Sequence, residues 1–198
     1  MKTNFTIHFD RISLLMVLAL VMENRLPQTA SLLLAATLHE CGHLLTARIL
    51  RVPIVSLHIS ILGARLEVGD PLLSYRHEWM LCAAGPLFSF LFAGGATWLA
   101  SAFPFAEGIR LFAMTSVALG IINLLPVGWL DGGRMFRAMC LQMLPHRVAT
   151  AMIHTVSFAF LLLLWMSSVY LLLRVGNSLS LFVFSFSLFF RFFLSDKG

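Results

Sequence analysis

Charge is scarce in this 198-residue chain: only 12% of its residues are Asp, Glu, Lys or Arg, about half the share usual in a soluble domain. Apolar residues make up 59%, and the mean hydropathy is +0.89. That balance excludes an ordinary soluble enzyme and predicts an integral membrane protein. Lys and Arg do not cluster on a polar segment, so the net charge of +5 is not a nucleic-acid-binding patch. Cysteine is sparse too. Cys41, Cys82 and Cys140 are odd in number and widely spaced, which excludes a disulfide framework. The first apolar stretch, residues 12–22, is followed by no A-x-A-like cleavage site and reads as a retained anchor. Every hydrophilic loop is shorter than the roughly 50 residues a folded module needs. One membrane-embedded domain over residues 1–198 is therefore expected.

Six apolar stretches are predicted as spans, at about 6–22, 30–50, 79–100, 109–126, 148–173 and 178–194, since a spanning helix takes about 20 largely apolar residues. Asp10 and Arg11 interrupt the first, and the sixth is short and rich in Phe. With six spans, one face collects Lys2, Arg11, Arg48, Arg51, Arg65, Arg76, Arg134, Arg137, Arg147, Arg191 and Lys197, leaving only Arg25, Arg110 and Arg174 for the other. By the positive-inside rule both termini are cytoplasmic. Between the second and third spans the periodicity changes to two. Val55, Leu57, Ile59 and Ile61 alternate with Ser56, His58 and Ser60, and after Gly63 the apolar residues Ala64, Leu66 and Val68 alternate with Arg65 and Glu67. This predicts a membrane-associated β-hairpin over about 54–68. The fold class expected is an all-α polytopic membrane protein with about six transmembrane helices and that small hairpin.

The chemistry lies in His39-Glu40-Cys41-Gly42-His43, placed inside the second apolar stretch. A carboxylate there costs about 2.5–3.5 kcal/mol and requires compensation. His-Glu-x-x-His on a helix puts two imidazoles on one face and is the zinc-binding signature of metalloproteases. The chain's own His and Glu frequencies give roughly 0.01 chance occurrences of the pattern. A catalytic zinc takes a third protein ligand and keeps an open position. Of the nine acids, Asp10, Glu23, Glu67, Asp70, Glu78, Glu107 and Asp196 fall at span ends or in loops; only Glu40 and Asp131 lie within or directly against an apolar stretch. Asp131 follows the fourth span where Pro126, Gly128, Gly132 and Gly133 are expected to break the helix. Irregular backbone at membrane depth must be buried in protein or line a wet cavity. The expected set is thus His39, His43 and Asp131 as zinc ligands and Glu40 as general base, with Asn123 donating to substrate backbone or the oxyanion. Cys41 points away from the histidine face, His154 is a packing or interfacial residue, and Met135, Met139 and Met143 mark a short amphipathic helix on the membrane surface.

With these residues in place the chain resembles the site-2 protease family of intramembrane zinc metalloproteases. His39-Glu40-x-x-His43 is similar to its first motif, and Asn123-x-x-Pro126-x-x-x-Leu130-Asp131-Gly132 to its second. Ala84-Gly85-Pro86-Leu87 looks like the Gly-Pro element that opens its third helix. Two positions depart: Trp129 stands where relatives often have Pro, and Ser89 where they often have Asn. The resemblance implies one zinc ion, residence in a bacterial cell membrane, and cleavage of a membrane-tethered protein in or near its transmembrane segment, with membrane regulators as further partners. The six-span layout is most similar to the sporulation-type branch, whose substrate is a pro-sigma factor. On this reading Leu57 and Ile59 lie on an edge strand that binds an unwound substrate segment by β-augmentation.

Two other classes fit less well. A protease with a soluble catalytic domain needs a Glu third ligand on a polar helix, and Glu67, Glu78 and Glu107 do not have that setting. A metal-ion or proton transporter using the same intramembrane groups tends to show repeated halves with matching broken segments, and no internal repeat is visible.

Overall fold

The computed structural model describes residues 6–9, 26–52, 54–60, 63–68, 74–103, 106–175 and 179–195. In chain order these form β1 (Thr6–Phe9), α1 (Leu26–Ile49), β2 (Ile54–Ser60), β3 (Gly63–Val68), α2 (Tyr75–Ala102), α3 (Glu107–Asn123), α4 (Asp131–Met143), α5 (His146–Val175) and α6 (Leu179–Ser195).

Helices α1, α2 and α3 pack mutually; α4 lies against α2 and α5, and α5 pairs with α6. The packing follows from small residues. On α1, Ser31, Ala35, His39, His43 and Ala47 recur every fourth position and are all buried, so the two histidines continue a stripe of small side chains that meets the neighbours. Such stripes let helix backbones approach closely. At Gly42 the approach to α2 is tight enough that a Cβ would stand 2.8 Å from the Ala84 carbonyl oxygen. Ser31 Oγ donates to Thr115 Oγ1 across 3.1 Å and ties α1 to α3.

Among the described residues, two helices are long and apolar enough to cross a membrane, Tyr75–Ala102 and His146–Arg174; the apolar run Leu181–Phe190 is shorter. Only 17% of the apolar window of α5 is buried inside the protein, against 39% for α2. Most of α5 therefore presents its side chains outward.

Several boundaries differ from the sequence expectation. The predicted first span, 6–22, begins as strand at Thr6–Phe9, and its remainder lies outside the described residues. β1 pairs parallel with β2, while β2 pairs antiparallel with β3, so the order is β1-β2-β3 and β2 is the central strand. Four residues separated from their partners by about fifty positions leave no local signature. The predicted fourth span, 109–126, stops at Asn123, shortly before Pro126, which disfavours helical backbone at the residue preceding it. Gly132 and Gly133 do not break a helix. They form the first turn of α4, where a Cβ on either would collide with the carbonyl oxygens of Leu124 and Val127. Finally, Gly85-Pro86 lies inside α2 rather than at its start.

Candidate metal centre

α1 presents His39 and His43, one turn apart, on its buried stripe, with 1% and 4% of their surfaces exposed. Their rings meet edge to face, centroids 5.0 Å apart at 76°. Asp131 reaches the same point from the first turn of α4. Its Oδ2 stands 3.0 Å from His39 Nε2 and 3.1 Å from His43 Nε2, and the two Nε2 atoms are 3.3 Å apart. Residues ninety positions apart in sequence thus place three potential ligand atoms in a near-equilateral triangle.

What backs each ring decides what the triangle can do. His43 Nδ1 lies 2.8 Å from the Leu81 carbonyl oxygen. A carbonyl only accepts, so Nδ1 carries the proton and Nε2 of the neutral ring is a bare lone pair. His39 Nδ1 meets Ser89 Oγ at 2.9 Å. The Asp131 carboxylate is likewise an acceptor. Acceptors converging at 3.0–3.3 Å repel one another unless a proton or cation lies between them. Zinc ligands at about 2.0–2.2 Å in tetrahedral array stand roughly 3.3 Å apart, which matches the spacing found. Gly85 makes the space: a Cβ there would collide with Nε2 of both histidines. The donor set, the spacing and the close approach that Gly85 allows all fit a metal ion, and His39, His43 and Asp131 form a group able to hold one.

Asp131 is delivered by the segment between α3 and α4. Val127 N–H donates to the Leu125 carbonyl, Leu130 N–H to Val127, and Arg134 N–H to Leu130, so the turn is internally bonded. Val127 and Leu130 are buried with Leu161 of α5 and Phe184 and Leu188 of α6, and Trp129 packs at the edge of this cluster. Ser157 of α5 donates to the Pro126 carbonyl at 3.1 Å.

The remaining sequence candidates fall as follows. Glu40 is half-buried on the same turn as His39, beside the triangle and not a member of it. Asn123 is 2% exposed, and its Nδ2 donates to the Leu119 carbonyl of its own helix at 3.1 Å. Leu57 and Ile59 lie in β2, opposite Leu66 and Ala64 on one side and Ile7 and Phe9 on the other. Their strand is central, so the expectation of an edge there is corrected: among the described residues the open edges belong to β1 and β3. Cys41 is exposed, and His154 touches the Phe192 ring edge-on at a centroid distance of 6.0 Å. Sequence reasoning missed the roles of Leu81, Gly85 and Ser89. The last two were visible, as the Gly-Pro element and as a departure from the usual Asn; the Leu81 carbonyl carries no sequence signal at all.

Residues 104–164 match peptidase family M50. Among curated proteins, none matches the sequence. Among solved structures the chain is similar to a site-2 protease from Methanocaldococcus jannaschii, with a TM-score of 0.71 and 20% identity over 92% of this chain and 89% of that one.

Proposed function

We propose that this chain is a metalloprotease of the site-2 type, a reading supported by its match to peptidase family M50 over residues 104–164 and by its fold, and that it holds one zinc ion between His39, His43 and Asp131 and cuts a membrane-tethered protein in or near its transmembrane segment. The observation that carries the reading is the triangle of ligand atoms with one Nδ1 fixed on a carbonyl, above a glycine whose Cβ would fill the same space. A zinc ion bound there would polarise the scissile carbonyl and bring the pKa of a water towards about 7.

Glu40 takes a proton from the attacking water and passes it to the leaving amine nitrogen. Asn123 holds the substrate backbone or the oxyanion once its amide turns from Leu119. A helix is cut only after its scissile bond is unwound, and an extended segment seeks a free strand edge. β3 touches α1, which carries the histidines, so its edge takes the role first expected of Leu57 and Ile59. The charge bias of the loops supports six spans with both termini on the cytoplasmic side of the membrane; a bacterial cell membrane rests on the family resemblance. The sporulation-type branch, and with it a pro-sigma factor as substrate, rests on that six-span layout.

The test uses purified protein in lipid vesicles with a tethered candidate substrate and a count of zinc per chain. Chelation is expected to abolish cleavage and zinc to restore it. Glu40→Gln is expected to retain the metal and to lose ~10²–10⁴-fold in rate. Cleavage by that variant at the parent rate would remove the mechanism.

A further inference from the structure

The two histidines are backed by groups of different kinds. The Leu81 carbonyl can only accept, so the tautomer of His43 is locked whether or not a metal is present. The Ser89 hydroxyl can donate or accept. It is 2% exposed and faces a ring that is 1% exposed, and it lies at hydrogen-bonding distance from Nδ1. We propose that Ser89 is a positioning residue for His39, whose rotating hydroxyl chooses which imidazole nitrogen carries the proton and thereby presents a bare Nε2 to the metal. The proposal rests on the zinc reading above.

Two arrangements share the same heavy-atom geometry. In the first, Ser89 donates to Nδ1, and Nε2–H of His39 donates to Asp131 Oδ2 across the 3.0 Å between them. In the second, Nδ1–H donates to Ser89 Oγ, and Nε2 is a lone pair free for a cation. They differ in the sense of the hydroxyl and in the nitrogen that holds the ring proton, which leaves Nε2 and is taken up at Nδ1 by exchange with solvent. No ring has to swing. His39 can therefore pair with Asp131 when metal-free and ligate when loaded, whereas His43 is preset for ligation alone. Partners of this kind fix the tautomer and orientation of a ligating histidine, and their loss typically weakens metal binding 10–100-fold.

Packing around Ser89 is tight, since a Cβ on Gly120 would come within 3.2 Å of its own Cβ. The decisive comparison is therefore between Ser89→Thr and Ser89→Val, which match each other in volume and shape and differ only in the hydroxyl. Full-length protein is purified in detergent, its zinc affinity is measured by competition with a chelator, and the melting temperature of the metal-free form is recorded alongside. Ser89→Val is expected to bind zinc about 10–100-fold more weakly than Ser89→Thr at a temperature where the metal-free forms of both are fully folded. Equal zinc affinities overturn the proposal. So does a Val variant whose zinc affinity is lowered only at temperatures where its metal-free form has begun to melt, because the hydroxyl would then be bracing the fold. Failure of the parent chain itself to bind zinc overturns the metal reading and this inference together, and the parent measurement identifies that case.

Discussion

Gly85 lies so close beneath His43 that a single added methyl group would strike the imidazole Nε2, and it would strike Nε2 of His39 as well. The glycine belongs to α2 and the rings to α1, so the space for the metal is a property of the helix crossing. Gly85→Ala is expected to fold, because the atoms it displaces are the ends of rotatable side chains. It is expected to retain well under one zinc per chain and to lose at least ~100-fold in cleavage, the upper end of what a disturbed ligand shell causes. Metal analysis after gel filtration checks the first expectation and a tethered-substrate assay the second.

The strand order makes β3, and not β2, the place to test substrate capture with proline. Proline in β2 at Leu57 or Ile59 interrupts a strand paired on both sides, so lost cleavage there would report a broken sheet. In β3 one side is paired with β2, and alternate residues direct their N–H groups to the open edge. A proline scan over Ala64, Arg65, Leu66 and Glu67 is expected to show a period of two: substitutions removing an outward N–H cut cleavage and spare zinc, while those between them destabilise the sheet. A scan with no alternation would rule out capture of substrate on this edge.

Much of the centre was legible because its chemistry is costly where it stands. A carboxylate and two imidazoles in an apolar stretch, four positions apart, have few uses besides a metal, and Asp131 was the one remaining acid set against a membrane run. What local pattern could not show was contact. The carbonyl that fixes His43 is backbone, identical in every residue. β1 is four residues long and pairs across some fifty positions. Gly132 and Gly133 look like helix breakers by propensity, yet they open α4 because two carbonyl oxygens press against them. Propensity lost to tertiary packing at that point, and this is also where Asp131 is set.

Asn123 separates two roles that geometry alone leaves joined. Its amide donates to Leu119 one turn back, which would suffice to brace the last turn of α3, while the proposed reaction asks it to serve the substrate. Asn123→Ala is expected to lower kcat ~10²–10³-fold, the usual loss when an oxyanion donor is removed, with zinc content and KM little changed. Loss of melting temperature with kcat intact would make it a helix-end brace only.

The metal centre joins two parts of the chain that both meet α2. His39 and His43 ride on α1, seated against α2 and α3, whereas Asp131 hangs from a turn whose Val127 and Leu130 are buried with Leu161, Phe184 and Leu188 of the α5–α6 pair. Anything that loosens this pair should let the carboxylate drift while both imidazoles stay. Leu130→Ala leaves a cavity worth about 2–5 kcal/mol in a packed core, and Ser157→Ala removes the hydrogen bond to Pro126, worth about 0.5–1.5 kcal/mol. Both lie outside the ligand triangle. Both are expected to weaken zinc binding, Leu130→Ala more than Ser157→Ala, in the order of their effect on stability. Titration of zinc against a chelator at a temperature where each variant is fully folded distinguishes the cases. If affinity is unchanged while stability falls, the aspartate turn holds its geometry without the α5–α6 pair; if affinity falls in step, that hairpin governs whether the third ligand is in place.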